Sequence, residues 1–281
     1  MSRHLLPIAI AIALIAPALP ACASPAVLLK ETFDGPAKPG SLAQKLLAHD
    51  KARLAPGAGP DGSDAIRVSY VGSPEGSERV VVRQPLASHA QEAELSFDVC
   101  FEEDFQWTGG GKLHGLGPAH PVTGGNPRSP QKWSVRAVFR PEGAVATYIY
   151  DQTPDTKYGK GQKSDGPVFQ KGRWHHVQLR TRVNTPGHSD GFARISVDGR
   201  VVVEQEGVEL RGMGGPETDI QTFLFSTFHG GNGPKWTPVD SDGKPATVHA
   251  LFDNFQVVGF ANADASSVND RSSSQTPPAT W

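Results

Sequence analysis

Apolar and polar residues alternate along much of this chain, and the alternation is broken by glycine and proline rather than by segments of helical period. The stretch WSVRAVFRPEGAVATYIY, residues 133 to 150, shows the pattern best. Side chains on a strand point to opposite faces with a period of two. Trp133, Val135, Ala137 and Phe139 therefore share one face, and Ser134 and Arg136 share the other. Pro141-Glu142-Gly143 suits a three-residue hairpin loop, with proline setting φ at the first position and glycine taking the left-handed conformation at the third. That register pairs Arg140 with Ala144, Arg136 with Tyr148 and Ser134 with Tyr150. One sheet face is thus predicted to carry a guanidinium, a hydroxyl and two phenols.

The same reading along the chain predicts strands at VLLKETF, AIRVSYV, ERVVVRQ, AELSFDVCF, WSVRAVF, VATYIY, WHHVQLRTRV, FARISVD, RVVVEQ, IQTFLFSTF and HALFDNFQVV. Many short strands separated by turn signals favour an all-β fold, a single β-sandwich of jelly-roll type whose two antiparallel sheets frame a concave groove. Asp198-Gly199 marks a tight turn between two of the strands, and no internal repeat is found.

Composition narrows this picture at both ends of the chain. Residues 1–24 combine a short basic start, an apolar run broken by Pro7, Pro17 and Pro20, and small residues around Ala21-Cys22-Ala23, which reads as an export signal. The run is too short for a comfortable membrane span. A secreted or periplasmic protein is expected, with lipoprotein anchoring through Cys22 as the second reading. Residues 25–260 suit one domain, and 261–281 form a polar tail with little apolar content, expected to be disordered. The only other cysteine is Cys100, so no intrachain disulfide is expected after processing. A formal charge of -2 argues against general nucleic-acid binding, so a polyanion would have to meet a local cationic patch. A monomer is expected.

Candidate chemistry gathers in glycine-rich segments. Trp107 to Trp133 reads as a long loop that leads into the strand of Ser134 and Arg136 and carries Lys112 after three glycines. FHGGNGPKW offers His229 and Trp236, and DTKYGKGQKSDG offers Lys157, Lys160 and Lys163, either a solvated basic loop or a rim for an acidic polymer. Of His175 and His176, in a core strand, one is expected to pack rather than react. There is no Cys/His set at zinc spacing, no phosphate-cradling Gly-Lys-Ser/Thr loop and no Gly-x-Ser-x-Gly elbow. Glu102, Glu103 and Asp104 cluster as a sandwich glycosidase would need, but adjacent strand residues point in alternating directions. Glu31, Asp34 and Asp253 could meet around a structural calcium.

With GGKLHGL, WSVRAVF, ATYIY, the GRWHHV to DGRV meander, FSTFHGG and FDNFQV, the chain resembles the jelly-roll polysaccharide lyases of family 14, which include alginate lyases and lyases of glucuronate polymers. The resemblance spans roughly Phe33 to Val258 as an ordered series of motifs. It implies catalytic roles for Lys112, Ser134, Arg136, Tyr148 and Tyr150, four of which strand parity had already gathered. His114 stands where the family often has proline and His229 where an aromatic residue is common, which bears on sugar preference. His114, His229, Trp236 and Lys157 are the candidates for further contact with an acidic polysaccharide. No cofactor is implied.

The reaction so implied is β-elimination on a β-1,4-linked uronate polymer, alginate or glucuronan. A base takes the C5 proton, the bond to O4 breaks, and an unsaturated uronate end remains. Arg136, with Lys112 beside it, would neutralise the carboxylate. Tyr148 is the first candidate for both proton transfers because it is predicted opposite Arg136, whose charge favours a phenolate, while Tyr150 and Lys112 are the alternatives. Tyr150 and Ser134 would position the sugar. A non-catalytic carbohydrate-binding sandwich and a glycoside hydrolase are the rival readings.

Overall fold

The computed structural model describes residues 24–153 and 156–261. The leader with Cys22, and the tail beyond its first residue, lie outside these. In chain order the elements are β1 (Ala26–Glu31), α1 (Leu42–Leu47), β2 (Ala52–Ala55), β3 (Ala65–Ser73), β4 (Gly76–Ser77), β5 (Val80–Ala90), β6 (Glu92–Phe101) and β7 (Gly111–Gly117). They continue with β8 (Ser134–Phe139), β9 (Val145–Tyr150), β10 (Trp174–Arg182), β11 (Gly191–Val197), β12 (Arg200–Val208), β13 (Ile220–His229) and β14 (Thr247–Phe260). All eleven strands read from the sequence are present.

Two antiparallel sheets form the sandwich. The larger has nine strands, with the order β12-β11-β10-β6-β14-β3-β2, β1 pairing with β14 and β4 with β3. The smaller has five, in the order β5-β13-β7-β8-β9. Alternation decides what lies between them. Leu95, Phe97, Val99 and Phe101 of β6 and Phe252 and Val257 of β14 meet Val135, Ala137 and Phe139 of β8 and Phe223 and Phe225 of β13, all fully buried. Each of these side chains larger than alanine contributes roughly 1.5–3 kcal/mol on burial, so a core this large needs no disulfide. Cys100 is a free buried thiol whose pKa burial pushes up to about 11, with Glu102 and Glu103 adding to the effect.

The turns follow their residue types. Arg140 N–H donates to the Ala144 carbonyl at 2.7 Å across the β8–β9 hairpin, and Gly143 takes φ 79°. Glu142, at φ 63°, joins it in the left-handed region. Asp198 and Gly199, at φ 51° and 76°, make the primed turn that matches strand twist. The sequence pattern missed α1, a helix of 6 residues capped where the Ser41 hydroxyl accepts from Gln44 N–H.

Strand β7 is the larger correction. Residues 107 to 133 read as one long loop, yet Gly111–Gly117 is the middle strand of the five-stranded sheet. Its glycines serve close approach, not flexibility. A Cβ on Gly111 would lie 2.2 Å from the Phe228 carbonyl oxygen, and one on Gly115 would lie 2.1 Å from that of Val135 and 2.4 Å from Arg136 Cγ.

Candidate active site

The outer face of the five-stranded sheet collects the cations and phenols. Ser134 pairs with Tyr150 and Arg136 with Tyr148. Gly115 lies opposite Arg136, and Lys112 lies opposite Val138 on one side and Phe228 on the other. The register slips between Lys112 and Gly115, where Leu113 and His114 together oppose the single residue Ala137. This bulge turns both Leu113 and His114 into the core and returns Gly115 to the outer face. Lys112 is held rather than waving. Its Nζ lies 3.4 Å from the centroid of the Tyr148 ring.

Burial and like charge act together on Lys112. Burial, with Arg136, Arg140 and Arg79 behind it, lowers its pKa from the ordinary 10.5 to about 6. Attraction of an ammonium to the Tyr148 ring opposes this, but cation–π contacts of about 0.5–2 kcal/mol are worth at most about one and a half pH units. Lys112 therefore gives up its proton far more readily than a solvated lysine and reaches the free amine in the neutral range.

Arg136 is buried, and no protein group accepts a hydrogen bond from its guanidinium among the described residues. Burial lowers its pKa, with Tyr148 and Tyr150 opposing. Its carbon Cζ lies 5.4 Å from the Tyr148 ring centre and 6.0 Å from that of Tyr150. The Tyr148 hydroxyl is pushed up to about 12, first by burial and then by Tyr150, against a smaller downward pull from Arg136. Expecting Arg136 to favour a phenolate therefore put the larger effect second. In the neutral range the face holds a protonated phenol beside an amine that loses its proton readily, with an unpartnered guanidinium next to both. That set can take a proton, give a proton and hold a carboxylate.

The loop between β7 and β8 is tied down around these groups. The Ser134 hydroxyl donates to the Val122 carbonyl at 2.7 Å, and Gly125 N–H donates to the Tyr150 hydroxyl at 2.9 Å. Arg128 binds this loop to the segment after β9 through the carbonyls of Asp151, Thr153, Thr156 and Tyr158 and the Asp151 carboxylate. Backbone bonds between Ile149 and Lys160 then cover the open edge of β9.

The Polysaccharide lyase 14 family model matches residues 68–255, more than half of the chain and all the strands just described from β6 to β13. The chain belongs to polysaccharide lyase family 14. It is a polysaccharide lyase. No curated protein matches the sequence. Among solved structures the lyase is similar to alginate lyase Aly36B, with 23% identity, 84% of this chain and 97% of that one covered, and a TM-score of 0.65. A marine PL-14 alginate lyase from Aplysia kurodai shares 21% identity over 83% and 98% of the two chains at a TM-score of 0.62. The endo-beta-1,4-glucuronan lyase of the fungus Trichoderma reesei shares 16% over 76% and 88% at 0.50. At these identities the likeness speaks for the jelly-roll fold.

Several side chains of the lyase stand elsewhere than the sequence suggested. His114 is fully buried between the sheets, ringed by Phe97, Phe225, Phe252 and Phe255 at 4.3–5.0 Å, so it cannot touch a polymer. Its Nδ1 accepts from Ser226 N–H at 3.2 Å, and burial holds its pKa well below the ordinary value. His229 is buried too. Its Nε2 donates to the Gln106 carbonyl at 2.6 Å, its ring stacks on Phe105, and burial lowers its pKa to about 4. Ser134 is fully buried with its hydroxyl engaged by the loop, so it anchors that loop instead of meeting the sugar.

Trp236 is half-buried, wedged against Gly109 and Gly231 at the turn into Lys112. Lys157 stays exposed at the rim, where it and Tyr158 pack over Gly125, whereas Lys160 is paired with Asp151. Glu31 accepts from Ala43 N–H, Asp34 from Asp64 N–H and Asp253 from the Ser63 hydroxyl, and although Asp34 acts on Asp253, the three carboxylates do not converge on one point as a shared calcium would need. Glu102 pairs with Arg67, and Asp104 with His249. Of the charged residues facing outward beside Arg136, the sequence reading missed Arg79, Arg83 and Arg140. Their shared face depends on strands far apart in the chain, although the outward parity of Arg83 and Arg140 was readable within ERVVVRQ and WSVRAVFR.

Proposed function

We propose that this lyase cleaves a β-1,4-linked uronate polymer by β-elimination, with Lys112 as the base, Tyr148 as the acid and Arg136 as partner of the carboxylate. The observation that carries this reading is the Lys112 amine, lowered to about 6, set 3.4 Å over a Tyr148 ring whose hydroxyl is raised to about 12. A base must be unprotonated and an acid protonated at the working pH, and burial together with neighbouring charge drives the two groups into those states.

Arg136 draws electron density from the uronate carboxylate, which makes the C5 proton acidic and stabilises the enolate that forms. Lys112 Nζ takes that proton. The C5–H electron pair becomes the C4–C5 double bond, the C4–O4 bond breaks, and O4 receives the Tyr148 phenolic proton. Lys112 then returns its proton to Tyr148, restoring both groups. The proximity of amine and phenol suits mannuronate or glucuronate, whose C5 proton and O4 lie on the same side. Tyr150, held by Gly125 N–H, still has its own hydroxyl proton to offer the sugar.

Two features support an alginate- or glucuronan-like polymer. The open sheet face bears cations and no strand carboxylate. The similar Aly36B has been seen with an alginate trisaccharide and a tetrasaccharide in variants that replace one of its lysines. The signal-like leader fits an exported enzyme working on an extracellular polymer. A panel of polymannuronate, mixed alginate and glucuronan, followed by ultraviolet absorbance of the unsaturated end, tests the proposal. Absorbance should rise on at least one polymer with the native enzyme and be nearly lost with Lys112→Ala. Saturated ends, or binding without product, would sink it.

A further inference from the structure

Two arginines on β5 and its approach touch no reacting group in the mechanism and act on it only at a distance, through their charge. Arg79 and Arg83 are exposed and have no carboxylate partner among the described residues. Alternation along β5 turns Val80 and Val82 toward the core and Val81 and Arg83 outward. Arg83 lies opposite Leu224, Leu224 opposite Gly115, and Gly115 opposite Arg136, one row running straight across four strands. The Arg79 guanidinium lies 5.3 Å from the centre of the Phe228 ring, and Phe228 lies opposite Lys112.

With strands about 4.8 Å apart, Arg83 and Arg136 stand about 14 Å from each other in the backbone. Arg79 to Arg83, and Arg136 to Arg140, are each four residues, about 13 Å along a strand. The result is two arginine rails, one on β5 and one on β8, with Lys112 and the side-chain-free Gly115 between them. The rails repel one another across this floor. Arg79 helps to depress the Lys112 pKa, and Arg83 acts in the same direction on Arg136. A chain of carboxylates laid across the face relieves that repulsion, and Val81, 47% exposed between the two β5 arginines, offers the apolar side of a sugar a surface.

We propose that Arg79 and Arg83 form a second carboxylate-binding rail that grips uronate units of the polymer beyond the one that reacts, and so makes the enzyme select long polyuronates over short ones. The proposal rests on the polyuronate reading of this face, so its test separates affinity from elimination. Calorimetry and ultraviolet turnover are compared for the native enzyme, Arg79→Gln/Arg83→Gln and, as a control from the opposite sheet, Arg194→Gln. The ligands are polymannuronate and a mannuronate disaccharide too short to reach β5 from Arg136.

Exposed ion pairs are individually weak, so the double variant should lose about tenfold in polymer affinity, with a shallower dependence on salt. Measured at pH 8, above the limb that Arg79 helps to set through Lys112, turnover at saturating polymer should stay within about twofold, and affinity for the disaccharide should not change. Arg83→Glu should weaken the polymer further, and the control should match the native enzyme. Unchanged polymer affinity in the double variant overturns the proposal, as does an equal loss for disaccharide and polymer. A native enzyme that binds polyuronate without eliminating would overturn the reaction assigned above while leaving the rail to be judged on affinity alone. A native enzyme that binds no polyuronate overturns both.

Discussion

On the outer face of the nine-stranded sheet, charges meet their opposites across strands: Arg180 with Glu92, Arg194 with Glu204, Arg67 with Glu102 and His176 with Asp98. In a cavity of about 300 Å³ there, Asp98 accepts from Asn254 and faces His176, so these three of its lining groups satisfy one another. On the outer face of the five-stranded sheet, Arg79, Arg83, Lys112, Arg136 and Arg140 have no such partner among the described residues. The two faces belong to one sandwich and alternate by the same period, so the difference lies in what each is for. A face that completes its own pairs is finished when the chain folds. A face that leaves several cations unpaired, one of them depressed to about 6, is completed by an anion from outside.

The comparison breaks most sharply at Lys112. If the unpaired face is catalytic, Lys112→Ala should lower elimination by roughly 10²- to 10⁴-fold while polymer affinity changes only a few-fold, because base catalysis is a transition-state contribution. Tyr148→Phe should fall on the same scale with the fold intact. Near-native turnover in either variant, measured by ultraviolet absorbance, removes that residue from its role. A step smaller, Arg136→Lys keeps the charge but loses the planar fork, and kcat/KM should drop by roughly tenfold to a hundredfold, with KM rising and kcat falling together. An unchanged KM would mean that the carboxylate is held elsewhere.

What the sequence made legible divides along the same line. Tyr148 opposite Arg136 and Tyr150 opposite Ser134 followed from hairpin type and parity, because both are local rules. Strand β7 was not legible, since glycines that permit close approach are written with the same letter as glycines that loosen a loop. Which group is base and which is acid was not legible either. Lys112 owes its lowered pKa to burial and to Arg136, Arg140 and Arg79, which reach it from two segments other than its own. The cores that hold His114 and His229 hide polar residues that a motif alone would send to the surface.

A third test sharpens the contrast through pH. Lys112 must be unprotonated to act, so kcat/KM should climb as pH rises through about 6 and level off above it. Arg140 is one of the cations that depress Lys112, so Arg140→Gln lets the ammonium persist to higher pH. The acid limb should move upward, leaving the variant several-fold slower near pH 6 and close to native near pH 8 at fixed ionic strength. A limb that stays in place, or moves down, would show that Arg140 does not act on the group that titrates.

The smallest effects concern stability, where the two faces should differ in sign. Arg180 has Glu92 across the strand, so Arg180→Gln removes an attraction and should destabilise the protein by up to about 1 kcal/mol without altering turnover. Arg140 has no carboxylate partner among the described residues. Burial lowers its pKa, which means that its charged form is disfavoured in the folded state, and it stands near Lys112, Arg136 and the other cations of the face. Arg140→Gln should therefore leave stability unchanged or raise it by a comparable fraction of a kcal/mol. Below about pH 6 the gain should be larger, because Lys112 is then charged in the folded state and loses a repulsive neighbour. Above that pH Lys112 is neutral and the difference should shrink. Urea unfolding of both variants at pH 5.5 and pH 8 reads the sign directly. If Arg140→Gln destabilises as much as Arg180→Gln at both pH values, Arg140 has an attraction in the folded protein, and the unpaired face is as complete as the paired one.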